Sequence, residues 1–278
     1  MRKGKKIDWT KAGIYAFLIF FIFISLFPVF WMLDTSFKSD EEVFKVPPVI
    51  IPSPVKLENY RIFLLQRPFP KYTINSLIAS LSVAALCIGL GTPAAYGFSR
   101  FKFRGRGFMF GSILASRLVP PISFIVPFTI IFSSFKMMDT LAALIIAYIF
   151  FNLPFVIWIL SGFFESIPQE LDDAAKIDGC GNISAFWKVI LPLTKPGVVA
   201  SAILAFLMCW NEFMFALVLT RVNAKTLSVG LYDFFADGFV KWNWLAAATM
   251  YTLIPAIVFV LLFQKHLIKG ILAGAVKG

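Results

Sequence analysis

Histidine is nearly missing from this chain, with one residue (His266) in 278, and cysteine is scarce at three (Cys87, Cys180, Cys209). That leaves too few donors for a typical zinc site, and no two cysteines stand in CxxC spacing. Charge is thin as well: 15% of residues are Asp, Glu, Lys or Arg, against roughly a quarter in a soluble domain. No GxxxxGK[ST] phosphate loop occurs, and no solenoid-type repeat period is present. The composition excludes a disordered chain, a disulfide-rich scaffold and a coiled coil. What the chain has instead is apolar mass: 59% hydrophobic residues, 33 of them Phe, and a mean hydropathy of +0.82. Its solvent is lipid.

A membrane-spanning helix needs about 20 mostly apolar residues. Six stretches qualify, near 13–33, 73–98, 107–134, 140–163, 197–220 and 245–264. The first follows a basic Met1–Lys6 segment but is too long for a signal-peptide core and exits without a small-x-small cleavage site, so it is expected to remain as a span. The formal charge of +11 suggests nucleic acid at first sight. Sorted by side of the membrane, it becomes an orientation signal. With the N-terminus inside, the inner segments 1–12, 99–106, 164–196 and 265–278 hold fifteen Lys and Arg, and the longer outer segments 34–72, 135–139 and 221–244 hold ten. The run Arg100-Phe-Lys-Phe-Arg-Gly-Arg106 carries no acid and reads as a topogenic anchor. The expectation is an all-α integral membrane protein, 1–278 as one domain. It has six transmembrane helices, and both termini lie in the cytoplasm.

One inner loop breaks the basic pattern, because a third of all acidic residues fall in 164–196. Ser166 and Gln169 have capping-box spacing, and Pro168 falls in a first turn. Glu170, Asp172 and Asp173 lie near the positive end of a helix dipole and Lys176 near its negative end, with Gly179 as the left-handed stop. A second amphipathic piece, Ile183–Ile190, is expected to end at Leu191-Pro192. A short acidic helix with small residues at Ala174 and Ala175 suits a protein docking site better than an anionic lipid surface.

Asp173-Ala-Ala, Gly179 and Val189-Ile-Leu191-Pro192 resemble the EAA loop of bacterial ABC-importer permeases, with Asp for Glu and Val for Ile. Ser36-Phe-Lys, Val46-Pro-Pro, Glu58-Asn-Tyr60, Asn75-Ser76, Ala94-Ala-Tyr96, the 100–106 run, Trp210-Asn-Glu-Phe213 and Gly274-Ala-Val-Lys-Gly278 extend the likeness across the chain. The set resembles the MalG-type permease of maltose-type carbohydrate importers. That resemblance implies a cytoplasmic coupling helix between the fourth and fifth spans, within the loop 164–196, that docks on an ATPase. Its contact residues would be Glu170, Asp173, Ala174, Ala175, Asp178, Gly179, Leu191 and Pro192, with Lys277 and Gly278 reaching the ATPase dimer. It further implies a MalF-type second permease, two ATPase subunits that carry ATP and Mg, an external solute-binding protein and a sugar substrate. The chain itself would be a multi-pass protein of the bacterial cytoplasmic (inner) membrane, bind no cofactor or nucleic acid, and catalyse nothing.

Ionisable and amide groups inside spans are candidates for the translocation path or its gate: Arg117, Asn152, Asn211 and Glu212. Helix-to-helix hydrogen bonding is their structural alternative. A self-contained secondary transporter or channel would need more intramembrane carboxylates than Glu212, and a membrane enzyme would need a nucleophile with a base near it. Within the importer reading, a polyol such as glycerol phosphate remains an alternative to a sugar.

Overall fold

A computed structural model describes residues 9–236 and 240–275, and every regular element among them is helical. In chain order these are α1 (Trp9–Thr35), α2 (Asp40–Val43), α3 (Glu58–Gln66), α4 (Phe69–Arg100), α5 (Arg106–Ala115), α6 (Ile125–Ser134), α7 (Leu141–Glu165), α8 (Glu170–Ile177), α9 (Asn182–Ala185), α10 (Leu191–Trp210), α11 (Met214–Leu219), α12 (Leu227–Ala236) and α13 (Trp242–Ala275). Five apolar stretches are long enough to cross a membrane: Gly13–Thr35, Phe69–Arg100, Leu141–Glu165, Asn182–Trp210 and Trp242–Lys265.

The expected third span is not a straight helix. Its halves, Arg106–Leu118 and Pro121–Ser134, meet at 96°. Val119 is extended (φ −75°, ψ 124°) because the ring of the following proline excludes it from the helical region, and Pro120 is itself non-helical at ψ 130°. The expected fifth span is also displaced. α10 starts at Leu191, runs on from a π-turn at Phe186–Ile190, and stops at Trp210. Leu191-Pro192 therefore does not end the second amphipathic piece. Proline's missing N–H is tolerated in a first turn, and the wider turn before it absorbs the lost bond to the carbonyl four residues back.

The chain divides into two compact units, Met1–Pro68 with Asp233–Leu253, and Phe69–Tyr232 with Ile254–Gly278. In the first, α1 leaves its apolar side chains exposed, while the residues after it form a polar knot. Lys38 is 2% exposed, ion-paired with Asp34 and 4.6 Å from the Trp31 ring centre. Asn59 donates its amide to the Ser36 and Lys38 carbonyls at 2.8 and 2.9 Å, and Asn243 donates to Asp40 at 2.8 Å. The Ser36-Phe-Lys and Glu58-Asn-Tyr60 motifs thus meet in one cluster, with the Tyr60 hydroxyl 2.8 Å from Ser36 Oγ.

The second unit is built on α4, α7 and α10 packed side by side. Helices in lipid gain little from apolar burial alone, so close approach depends on small residues. Gly91 lies against Val156, and Ala95, Ala147 and Ala200 are buried. The tightest point is Gly197, where an added Cβ would sit 2.4 Å from the Phe163 ring. Gly197→Ala is expected to destabilise the bundle by ~1–3 kcal/mol, the usual cost of overpacking. Gly89→Ala, at a position with open space, should be silent. Thermal melting of the detergent-solubilised protein followed by fluorescence size-exclusion reads the difference.

Candidate functional site: the loop after α7 and the two ends of the bundle

The loop begins where α7 runs out. Ser166 is still in helical conformation (φ −76°, ψ −14°), and its hydroxyl donates to the Phe163 carbonyl at 2.7 Å. An N-cap needs extended backbone, so the expected Ser166–Gln169 capping box does not form, and α8 starts without a side-chain cap. Gly179 ends the following turn in the left-handed region, φ 82°, as its sequence position suggests.

α8 turns one carboxylate inward. Asp172 is 3% exposed, and its Oδ1 accepts the Tyr96 hydroxyl at 2.7 Å. Its Oδ2 lies 2.9 Å from Arg100 Nε, both side chains being less than a tenth exposed. Arg100 also donates through Nη2 to the Ile167 carbonyl at 2.8 Å. The Tyr96 ring packs against Phe101, Phe164 and Phe186, the closest centroid being 4.8 Å away, so the ion pair sits in an aromatic surround. A buried ion pair survives only when its remaining polar atoms find partners. Here a phenol and a backbone carbonyl supply them.

The outward face carries most of the expected docking residues. Glu170, Asp173, Ala174, Asp178 and Gly179 are exposed, and Asp173 makes only a loose pair with Lys176 at 3.4 Å. Pro192 is exposed and Leu191 half-buried. Ala175 differs: it is 5% exposed and packs into its own chain. Ile177, Ile183 and Trp187 stand exposed in the same segment. Lys277 and Gly278 lie outside the described residues.

Asp172, Tyr96 and Arg100 were not singled out from sequence. Arg100 read as one more cation of an anchoring run, and Asp172 as one of three acids beside a helix dipole. In the structure Asp172 shares a face of α8 with the buried Ala175, three residues on, and Tyr96 and Arg100 are i, i+4 neighbours at the end of α4; the sequence alone does not separate Asp172 from Glu170 and Asp173.

The four intramembrane candidates divide. Asn152 is buried between helices, donating to the Tyr148 carbonyl at 2.8 Å and to Cys209 Sγ at 3.4 Å. Glu212 accepts the Phe215 and Ala216 amides at 2.9 and 3.2 Å, which starts α11 and explains why α10 stops early. Asn211 is exposed and bonds back to the Leu207 carbonyl. Arg117 and Glu212 take different partners. Arg117 is exposed in the bend of the third span, 3.1 Å from the Phe151 carbonyl and 4.7 Å from the Phe155 ring centre. Beside it Phe124, Phe128, Phe150, Phe151 and Phe215 form a continuous cluster of rings. Among the described residues, no three His, Cys, Asp or Glu side chains gather as metal ligands.

The opposite end of the bundle is held by Asp139, also unforeseen. Its carboxylate accepts backbone amides from Arg221, Val222, Asn223 and Ala224 at 2.8–3.2 Å, and the Asn223 side chain at 3.0 Å. Asn75 donates to the Asn223 and Lys225 carbonyls, and Ser76 accepts the Leu227 amide. Partial burial pushes the Asp139 carboxyl up, but the four amides outweigh it and hold it at about 2.

These observations define a membrane-embedded helical subunit whose polar architecture is concentrated at the two ends of its bundle. The chain belongs to the binding-protein-dependent transport system inner membrane component family, whose model matches residues 87–272. It is a multi-pass permease of the inner membrane. It is 36% identical over 260 residues to the trehalose/maltose transport system permease protein MalG of Thermococcus litoralis, covering 92% of each chain. To the trehalose transport system permease protein SugB of Mycobacterium tuberculosis it is 38% identical, over 91% of this chain and 93% of that one. The sulfoquinovosyl glycerol permease SmoH of Agrobacterium fabrum is 34% identical, over 99% and 95%. Its fold matches a chain of a bacterial ABC transporter that imports the polysaccharide alginate, with a TM-score of 0.77 at 22% identity, covering 95% of this chain and 99% of that one.

Asp139→Asn should loosen the 221–224 segment, accelerating its backbone hydrogen exchange on the order of fivefold, the equivalent of ~1 kcal/mol for a partly exposed charge-assisted contact. The wild-type carboxylate has a folded value below its free value of 3.8, so its contribution is complete above that pH and drains as pH falls towards about 2. Exchange in this segment should therefore be insensitive to Asp139 ionisation at neutral pH and accelerate only in that acid window.

Proposed function

We propose that this permease is one of two membrane subunits of an ATP-driven importer for a sugar or a sugar-containing solute. An external binding protein delivers the solute, and two ATPases dock on the cytoplasmic side. The 164–196 loop faces the cytoplasm, and α8 is the coupling helix. The observation that carries the reading is the division of labour on α8. Asp172 is tied to α4, while Glu170, Asp173, Ala174 and Asp178 of the same segment are left exposed together. An acidic face held rigidly off the bundle suits a protein partner and not an anionic membrane surface. Gly179 and the exposed Ile177, Ile183 and Trp187 extend that surface with apolar contact.

The names of similar proteins, permeases for trehalose, maltose and sulfoquinovosyl glycerol, support a carbohydrate solute over glycerol phosphate. A proton- or sodium-coupled carrier would need a free intramembrane carboxylate, and Glu212 is engaged by two backbone amides. Asn152, Glu212 and Arg117 are accordingly assigned to holding the bend, the α10–α11 break and the phenyl cluster in register. The path runs beside them, and hydrolysis of ATP belongs to the partner subunits.

Reconstitution with the second permease, the ATPases and the binding protein tests the reading. The complete assembly should take up labelled trehalose or maltose only with ATP inside. Asp173→Lys should weaken ATPase association on the order of tenfold, equivalent to ~1.4 kcal/mol, without preventing membrane insertion. Uptake by this chain alone, or an Asp173→Lys assembly that binds ATPase and transports like wild type, contradicts the assignment.

A further inference from the structure

Arg100 is the last residue of α4 and Asp172 lies in the first turn of α8. Their contact joins a membrane-length helix to a loop helix through buried charge. Three directed interactions fix it: Tyr96 to Asp172, Arg100 to Asp172, and Arg100 to the Ile167 carbonyl that leads into α8. The Tyr96–Asp172 bond spans 76 residues of sequence, so it is a tertiary joint and not a local cap. α8 otherwise packs on α9 and the π-turn, which run directly into α10. A displacement of α8 therefore has two routes into the bundle, one along the chain into α10 and one through this joint into α4.

We infer that the Arg100–Asp172 pair, closed by the Tyr96 hydroxyl, is the linkage that makes α4 move with α8 when a partner displaces it. Arg100, Asp172 and Tyr96 are positioning residues. They face away from the docking surface, and their work is to deny α8 an independent motion. A buried ion pair whose other atoms are held by the Tyr96 hydroxyl and the Ile167 carbonyl suits that role because it is short-ranged: the helices either keep register or leave a charge unpaired in an aromatic surround. The inference rests on α8 being the element that docks the ATPase.

The test uses spin labels at Lys176→Cys on α8 and Leu90→Cys on α4, both exposed positions, in a Cys180→Ser background that retains the buried Cys87 and Cys209. Distances are measured in the assembled complex without nucleotide and trapped with ATP and vanadate. The wild-type pair should give one narrow distribution in both states. The double variant Arg100→Met with Asp172→Asn leaves no unpaired buried charge, so it should assemble, and its distribution should broaden about twofold in the trapped state. Arg100→Lys, which keeps the charge, should stay close to wild type. A double variant as narrow as wild type in both states overturns the inference, and so does one that fails to assemble, since the pair is then merely structural. If the wild-type chain gathers no ATPase, it is the importer reading that fails. The linkage is then judged on the isolated chain in nanodiscs, where the double variant must broaden the distribution relative to wild type.

Discussion

In lipid, apolar side chains are as well solvated by acyl tails as by each other, so a helical bundle cannot be held in register by greasiness alone. This protein meets that constraint with small residues in the middle and polar joints at both ends. Gly91 and Gly197 bring α4, α7 and α10 close, and Gly197 leaves no room for a methyl group against Phe163. At one end Asp139, Asn75 and Ser76 capture the backbone of 221–227. At the other, Arg100 and Asp172 join α4 to α8. Each joint fixes a segment that lies outside the apolar bundle.

The same economy governs the middle. Glu212 and Arg117, the charges whose burial would cost most, are used locally: the first begins α11 and the second closes onto the Phe151 carbonyl and the Phe155 ring. Both sit at breaks in otherwise continuous apolar sequence. Non-helical backbone at such depth is tolerated when polar side chains or neighbouring helices satisfy the freed groups; Glu212 does so for the Phe215 and Ala216 amides, and Arg117 ties the bend to the Phe151 carbonyl of α7. The bend at Val119–Pro121 and the stop at Trp210 each have one of the two charges beside them.

Much of this was legible beforehand because lipid demands long apolar runs. Four of the six expected spans are single long helices, the third being bent and the fifth shifted and broken after Trp210, and the acidic loop stood out because its charge contradicted its surroundings. The breaks were harder to see. Hydropathy averages over 18 or more residues, and it does not register that Pro120 and Pro121 bend a span or that Glu212 captures two amides. The decisive carboxylates, Asp139 and Asp172, were invisible for another reason: each acts on partners at least 72 residues away in sequence. One sequence carries no information on which of three neighbouring acids, Glu170, Asp172 or Asp173, will turn inward until α4 is placed against α8. The Ser166–Gln169 spacing misled because Ser166 remains helical.

The account depends most on which side of the membrane α8 occupies, since energy can enter there only from the cytoplasm. Cys180 offers a direct reading, because Cys87 and Cys209 are buried and Cys180 is partly exposed just after Gly179. A membrane-impermeant maleimide should label it in inside-out vesicles and leave it untouched in intact cells, and assembly with the ATPases should protect it. Labelling of Cys180 from outside intact cells would contradict the central claim.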